Sequence, residues 1–229
     1  MSLSCEERLS DSPYVDTIEH VIAEQAGSTI CPANGRWYML ATRQNDKCHF
    51  SIVGPLTKAS PTRYIEGAEF LFIKFKMGMF LQPFPAKSLL DSDIILPEAT
   101  SKKFWLNGSA WELPNYDNIE EFVRRLVCED LLISDAVVNT VLQDEHIDIA
   151  RRTVRHRFLQ STGLSQSYIR QIERARRAKT LLEQGVSILD TVYQTGYSDQ
   201  SHLTRSFKQF IGYTPAHIFH KVEPEMEYQ

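Results

Sequence analysis

The sequence predicts an α+β chain. A mainly-β N-terminal region, a small barrel or sandwich, precedes an all-α C-terminal domain with two helix-turn-helix units joined by a linker helix. Three observations predict it. Short runs of β-branched and aromatic residues, punctuated by Pro and Gly, fill the first hundred or so positions. From Asp117 onward, apolar residues recur at helical spacing. The C-terminal part also repeats itself at an offset of 49 residues.

Taken in order, Tyr14–Gln25 reads as a helix, because Val15, Ile18, Val21 and Ile22 form a stripe. Strands are expected at Arg36–Ala41, Cys48–Val53, Glu69–Phe75 and Ile94–Leu96. The turn chemistry of Gly54–Pro55, Ser60–Pro61 and Gln82–Pro83 separates them. In the third strand Phe70, Phe72 and Lys74 alternate with Leu71, Ile73 and Phe75, which predicts burial on both faces. The boundary between β and α regimes falls near Pro114–Asn115. Beyond it Ile119, Phe122, Val123, Leu126 and Val127 mark an amphipathic helix, and Asp135–Leu142 is a second helical pattern.

The remaining helices carry the repeat. Phe158 aligns with Phe207, Gln160 with Gln209 and Gly163 with Gly212; Val154 and Leu203 also match in character, as do Ser165 and Thr214. Each copy is a helix with one core aromatic and a glycine just past its end. The first spans Ala150–Thr162 and the second Asp199–Ile211. Between them Ser165–Glu183 forms a linker helix with Ile169, Ile172, Ala175, Leu181 and Leu182 inward. Arg170, Arg174, Arg176, Arg177 and Lys179 lie largely outside that stripe. A short helix then runs to Thr195, Gly196 breaks it, and the second copy starts at Ser198–Asp199. Two helices joined by a short Gly-containing turn make a helix-turn-helix, whose second helix fits a DNA major groove. Its exposed face carries Gln200, Ser201, His202, Thr204 and Arg205, all able to hydrogen-bond base edges. Thr214–Pro215 starts a final helix, with Thr as N-cap.

The net charge of −4 conceals a segregation. Residues 1–148 hold 13 basic and 22 acidic side chains, whereas residues 149–221 hold 12 basic and 4 acidic ones. A basic module beside an acidic one is the footprint expected when only one part meets phosphates. The four cysteines, Cys5, Cys31, Cys48 and Cys128, show no C-x₂₋₄-C spacing, which disfavours a zinc knuckle. The polar start lacks a signal-peptide core, and no apolar run approaches the ~20 residues of a membrane span. A cytoplasmic, reduced protein with no membrane partner is expected.

The pattern GYSDQSHLTRSFKQFIGYTPAHI at 196–218 resembles the DNA-binding domain of AraC-type (AraC/XylS family) transcription regulators. The segment RRTVRHRFLQSTGLSQSYIRQIERARRAKTLLE at 151–183 looks like the other half of that domain, and the N-terminal part is similar to the accessory domain found ahead of it. Two departures stand out. Thr191 and Val192 occupy positions where the family usually has Ile and Ala. In the first unit Gln143–Asp148 is too polar for a packed positioning helix, so Asp135–Leu142 takes that role over a longer turn. The resemblance implies an accessory domain at 1–114, a DNA-binding domain at 115–221 and an acidic tail at 222–229. It implies double-stranded DNA as partner, read at two adjacent major-groove segments. Base-reading candidates are Arg152, Arg155 and His156 in the first unit, and Gln200, Ser201, His202 and Arg205 in the second. Phosphate contacts fall to Arg151, Arg170, Ser198, Thr204 and Lys208. The N-terminal domain has three roles open to it: sensing a small-molecule effector, forming a homodimer, or touching RNA polymerase. No cofactor, metal or catalytic residue is implied.

Plainer readings compete at several points. The arginines of 151–157 would also suit a solvated helix face, and Arg157 suits an internal ion pair; segregation and repeat together favour DNA for the cluster. Phe158 and Phe207 read as core. His217 with His220, and Cys48 with His49, lack a third metal ligand. Glu19, His20 and Glu24 suit a charged helix face. Trp37, Trp105 and Trp111 offer either a small-molecule pocket or core packing, with core expected for at least two. The rival function is a small-molecule-binding protein or a reactive-cysteine or metal enzyme centred in the N-terminal domain. DNA-repair relatives of the family join a similar module to a reactive-cysteine domain, but their clustered cysteines have no counterpart here.

Overall fold

The computed structural model describes residues 3–45, 47–142 and 148–222. By packing, the chain divides into two compact units. The first draws on Met1–Ser28, Gly35–Pro55 and Arg63–Ser165, and the second on Thr29–Asn34, Leu56–Thr62 and Gln166–Gln229. The strands are β1 (Leu3–Leu9), β2 (Val15–Ala23), β3 (Gly27–Cys31), β4 (Tyr38–Gln44), β5 (Lys47–Val53), β6 (Ser60–Tyr64), β7 (Glu69–Phe75), β8 (Met79–Leu81), β9 (Asp93–Ile95), β10 (Glu98–Thr100), β11 (Lys103–Leu106), β12 (Ser109–Glu112) and β13 (Leu132–Ser134). The helices are α1 (Ile119–Cys128), α2 (Ala136–Leu142), α3 (Arg151–Thr162), α4 (Gln166–Glu183), α5 (Ile188–Thr195), α6 (Gln200–Phe210) and α7 (Pro215–Val222), with a 3-10 turn at Ala86–Leu89.

The first unit is built on an open antiparallel sheet in the order β1-β2-β7-β4-β5-β9. Its register aligns Ile18 with Ile73, Ile73 with Met39 and Met39 with Ile52, and all four side chains are fully buried. Burying each such side chain contributes about 1.5–3 kcal/mol before entropy is counted. This face is covered by the ribbon β10-β11-β12 and by α1, through Phe104, Leu106, Trp111 and Phe122. Phe50 meets Phe104 at 4.6 Å between ring centroids, and Trp111 stands edge-on to Phe122 at 5.9 Å. The helix α1 forms where the sequence predicts it. Ile119, Phe122, Val123 and Leu126 are buried, while Arg124 pairs with Glu121 and Arg125 with Glu129 on the other side.

The expected helix at Tyr14–Gln25 is instead the strand β2. Its pairing with β7 slips between Val15 and Thr17, so one extra residue bulges there. The bulge places Val15 and Ile18, three apart in sequence, on the same buried face. β7 has the expected bounds but buries only Leu71, Ile73 and Phe75; Phe70, Phe72 and Lys74 are half-exposed on the open face, where Lys74 pairs with Glu19. The strand β13, paired with β8, has no counterpart among the expected strands.

The helix α3 packs in the first unit against α2, the 3-10 turn and β8. α2 begins where Asp135 accepts from the amides of Val137 and Val138, at 3.0 and 3.3 Å. Phe158 is fully buried, as expected, and the Trp37 indole donates to the Ser161 carbonyl at 3.3 Å.

In the second unit α4 is the central helix, with α5, α6 and α7 packed on it. Ile169, Ile172, Ala175, Ala178 and Leu182 form its buried stripe. The Ser187 hydroxyl caps α5 by accepting from the Asp190 amide at 3.1 Å, and Thr214 caps α7 by accepting from the His217 amide at 3.2 Å. Leu203 and Phe207 of α6 are fully buried. The strands β3 and β6 pair with each other, and residues 29–34 and 56–62 of this arm belong to the second unit.

Candidate nucleic-acid interface

The α5–α6 turn sets the geometry of the second helix-turn-helix. α5 ends at Gly196, whose φ of 70° is the left-handed conformation that a side chain would strain. The next amide, Tyr197, returns to the Val192 carbonyl at 3.1 Å. Tyr197 is buried beneath the turn, and its hydroxyl pairs with that of Ser206 at 2.8 Å. Arg174 lies over the Tyr197 ring with its guanidinium carbon 4.4 Å from the centroid. It is therefore half-buried against the turn, and not simply on the solvated side of the linker helix as its spacing predicts.

α6 starts at Asp199, which accepts from the His202 amide at 2.7 Å. That hydrogen bond, reinforced by the Ser198 hydroxyl and the charge of Arg205, holds the Asp199 carboxyl below the usual carboxylate range. The cap is thus ionised at neutral pH. From it Gln200, Ser201, Arg205, Lys208 and Gln209 project as exposed side chains, opposite the buried Leu203, Ser206, Phe207 and Phe210. Ser201 and Arg205 are four residues apart and Lys208 three further on, so they lie along one line of the outward face. The remaining candidates are partly engaged. The His202 ring stands edge-on to Tyr197 at 5.0 Å, and its Nδ1 is 3.2 Å from the Ser198 hydroxyl. The Thr204 hydroxyl donates to the Gln200 carbonyl at 2.8 Å.

The first-unit candidates also share one helix. Arg151, Arg152, Arg155 and His156 are all exposed on α3, which carries no acidic residue. Arg152 and His156 fall at i, i+4, and the exposed Gln160 extends their line by one more turn. Gln160 and Gln209 are missing from the predicted reading set although the 49-residue repeat aligns them. Arg157 pairs with the buried Asp135 at 3.7 Å, the internal role its position suggested. Arg170 is exposed on α4 and engaged within the chain. The structure thus brings together one candidate set on α3, in the first unit, and another on α6, in the second.

The features behind the rival reading fall elsewhere. In the first unit a cleft of about 260 Å³ is lined by Phe50, Leu96, Phe104 and Leu113, with Cys48, His49, Glu98 and Lys103 among its polar groups. None of the three tryptophans lines it: Trp37 and Trp111 are core, and Trp105 is exposed. Burial pushes the Cys5 and Cys48 thiols up, the opposite of an activated thiolate. The His217 ring stacks on Tyr213 at 4.8 Å. Among the described residues, no three His, Cys, Asp or Glu side chains converge as a metal site requires, and no helix is long and apolar enough to cross a membrane.

Residues 145–221 match the family model for a helix-turn-helix domain. An 81-residue stretch, 34% of the chain, is 35% identical to the uncharacterized HTH-type transcriptional regulator YbfI of Bacillus subtilis and covers 29% of that protein. An 88-residue stretch, 38% of the chain, is 34% identical to the HTH-type transcriptional regulator RipA of Corynebacterium glutamicum and covers 27% of it. The chain therefore spans less than a third of the length of these relatives. No solved structure matches it at a significant level. With α3, α4, α5, α6 and α7 in place, the segment 145–221 is a helix-turn-helix domain of the AraC type.

Proposed function

We propose that the chain is a sequence-specific DNA-binding transcription regulator that reads two adjacent major-groove segments with α3 and α6. Arg152, Arg155 and His156 read bases from α3, and Gln200, Ser201, His202 and Arg205 from α6. Arg151, Arg170, Ser198, Thr204 and Lys208 hold phosphates. An Arg fork matches guanine O6 and N7, and a Gln amide matches adenine N6 and N7. The observation that carries this reading is the outward line Ser201, Arg205 and Lys208, on a helix capped at Asp199 and delivered by the Gly196 turn. It lies inside the segment that matches the helix-turn-helix model.

In this reading residues 1–114 serve as the accessory domain and 115–221 as the DNA-binding domain, although α1, α2 and α3 pack with the β-rich unit. The cleft lined by Cys48, Leu96, Glu98, Lys103 and Leu113 is the place in this unit for a small-molecule effector as the input. Binding of the full chain to a preferred duplex and to random DNA tests the assignment. Arg152→Ala should cost about 1–3 kcal/mol on the preferred duplex and relax selection there. Lys208→Ala should weaken binding to all duplexes alike and reduce the salt slope by about one. Equal losses on both DNAs for Arg152→Ala would reject its base-reading role.

A further inference from the structure

The far end of α6 is held by main chain from distant parts of the sequence. The last carbonyls of a helix have no partner within it and normally turn to water. Here the Gln209 carbonyl accepts from the Ala59 amide, and the Phe210 carbonyl from the Ala33 amide, both at 2.8 Å. Ala33 is buried. The Tyr168 hydroxyl bridges the same place. It donates to the Thr57 carbonyl at 3.0 Å and accepts from the Gln209 side-chain Nε2 at 3.2 Å, and its ring stands edge-on to Phe210. Asn34 closes the arm on itself: its amide donates to the Leu56 carbonyl, and its side-chain oxygen accepts from the Leu56 amide.

Gly212 records how closely the arm approaches. Its φ of 85° already favours glycine. A Cβ there would also lie 2.4 Å from the Ile30 Cγ2 and 3.0 Å from the Ala59 Cβ. A glycine ending the helix accounts for the first fact alone; the approach of the arm accounts for the second. All these contacts lie inside the second compact unit, yet residues 29–34 and 56–62 lie outside the segment 145–221 that matches the helix-turn-helix model.

We propose that this arm is a brace for DNA selection, with Ala33, Ala59 and Tyr168 as positioning residues that act through α6. The inference rests on the DNA-reading assignment above. Asp199 sets one end of α6 and the arm sets the other, so the angle at which Ser201 and Arg205 meet base edges is fixed at both ends. Bidentate base contacts tolerate displacements of only about 0.5 Å, whereas phosphate contacts from flexible side chains follow a shifted helix. Loosening the brace therefore lowers discrimination before it lowers general affinity.

The test uses the full chain, a duplex selected from a random pool, and bulk competitor DNA, well below the melting temperature of every variant. Tyr168→Phe keeps the ring but loses the bridge, Ala33→Pro removes the donating amide, and Ala33→Gly retains it. Tyr168→Phe and Ala33→Pro should each reduce the ratio of specific to random affinity about five-fold, roughly the worth of one hydrogen bond. Random-DNA affinity and its salt slope should stay unchanged, and Ala33→Gly should match the wild type. If Ala33→Pro does not fold, Tyr168→Phe decides alone. A wild type that selects its duplex while folded variants keep its ratio overturns the brace only; a wild type that prefers no duplex overturns the DNA-reading assignment, and the brace with it.

Discussion

The indole of Trp37, at the edge of the β-rich core, donates its hydrogen bond to the carbonyl of Ser161 in the last turn of α3, 3.3 Å away and buried. The helix that carries Arg152, Arg155 and His156 is thus anchored within the first unit, with Phe158 buried in the same helix.

Trp37→Phe should therefore destabilise the protein by about 2 kcal/mol. A buried carbonyl left unpaired costs about 1–3 kcal/mol, and the smaller ring adds a cavity. For a chain of this size each kcal/mol shifts the melting temperature by about 2–4 °C. A thermal melt shows the effect, and an unchanged melting temperature would mean that the anchor carries no energy.

Thr191 offers a change in the opposite direction. It is fully buried on the inner face of α5, and its hydroxyl has no hydrogen-bond partner among the described residues. Thr191→Val keeps the branched shape and removes the desolvated hydroxyl. It should stabilise the protein by about 1 kcal/mol, measured as a higher urea midpoint with unchanged slope. A lower midpoint would show that the hydroxyl is satisfied in solution.

Much of the C-terminal segment was legible in the sequence because its signals are local. Helical stripes, the helix start at Ser198–Asp199, the cap at Thr214, and the glycines at 163, 196 and 212 need only neighbours within a few residues; the Ser187 cap, equally local, was missed. The N-terminal region was harder. Val15 and Ile18 read as a helix because a bulge in β2 imitates helical spacing. Phe70 and Phe72 read as core because an apolar strand does not reveal which face is open. The anchor at Trp37 joins an indole to a carbonyl far along the chain, and the arm at Ala33 and Ala59 is held by main-chain amides and carbonyls; neither leaves a local pattern in the sequence. For the candidate site, the exposure of Gln200, Ser201 and Arg205 on α6 was anticipated from the helical period, whereas His202 and Thr204, read on the same exposed face, are half-buried. The engagement of His202 with Tyr197, and of Arg174 over the same ring, was not anticipated.

The link between β1 and α1 carries a pH dependence. Arg8 donates to both carboxylate oxygens of Glu120, at 2.6 and 3.1 Å, and to the Tyr116 carbonyl. These bonds hold the Glu120 carboxyl below its usual range. A depressed carboxylate contributes stability that is present above its unfolded value of about 4.3 and is lost as pH falls through the lower folded value. Both side chains are about a third exposed, so solvent screening limits the pair to roughly 0.5 kcal/mol. Glu120→Gln should therefore lower the urea midpoint at pH 7, and the gap from wild type should close in acid. A gap that persists below the carboxylate range would show that the effect is packing, not charge.

The most direct test is selection of bound duplexes by the full chain from a random pool at low ionic strength. Enriched sequences should align on two short motifs about ten base pairs apart, one for α3 and one for α6. Arg152→Ala should blur the first motif and Arg205→Ala the second. No enrichment over bulk competitor, or motifs that neither substitution alters, would contradict the claim that these two helices read bases.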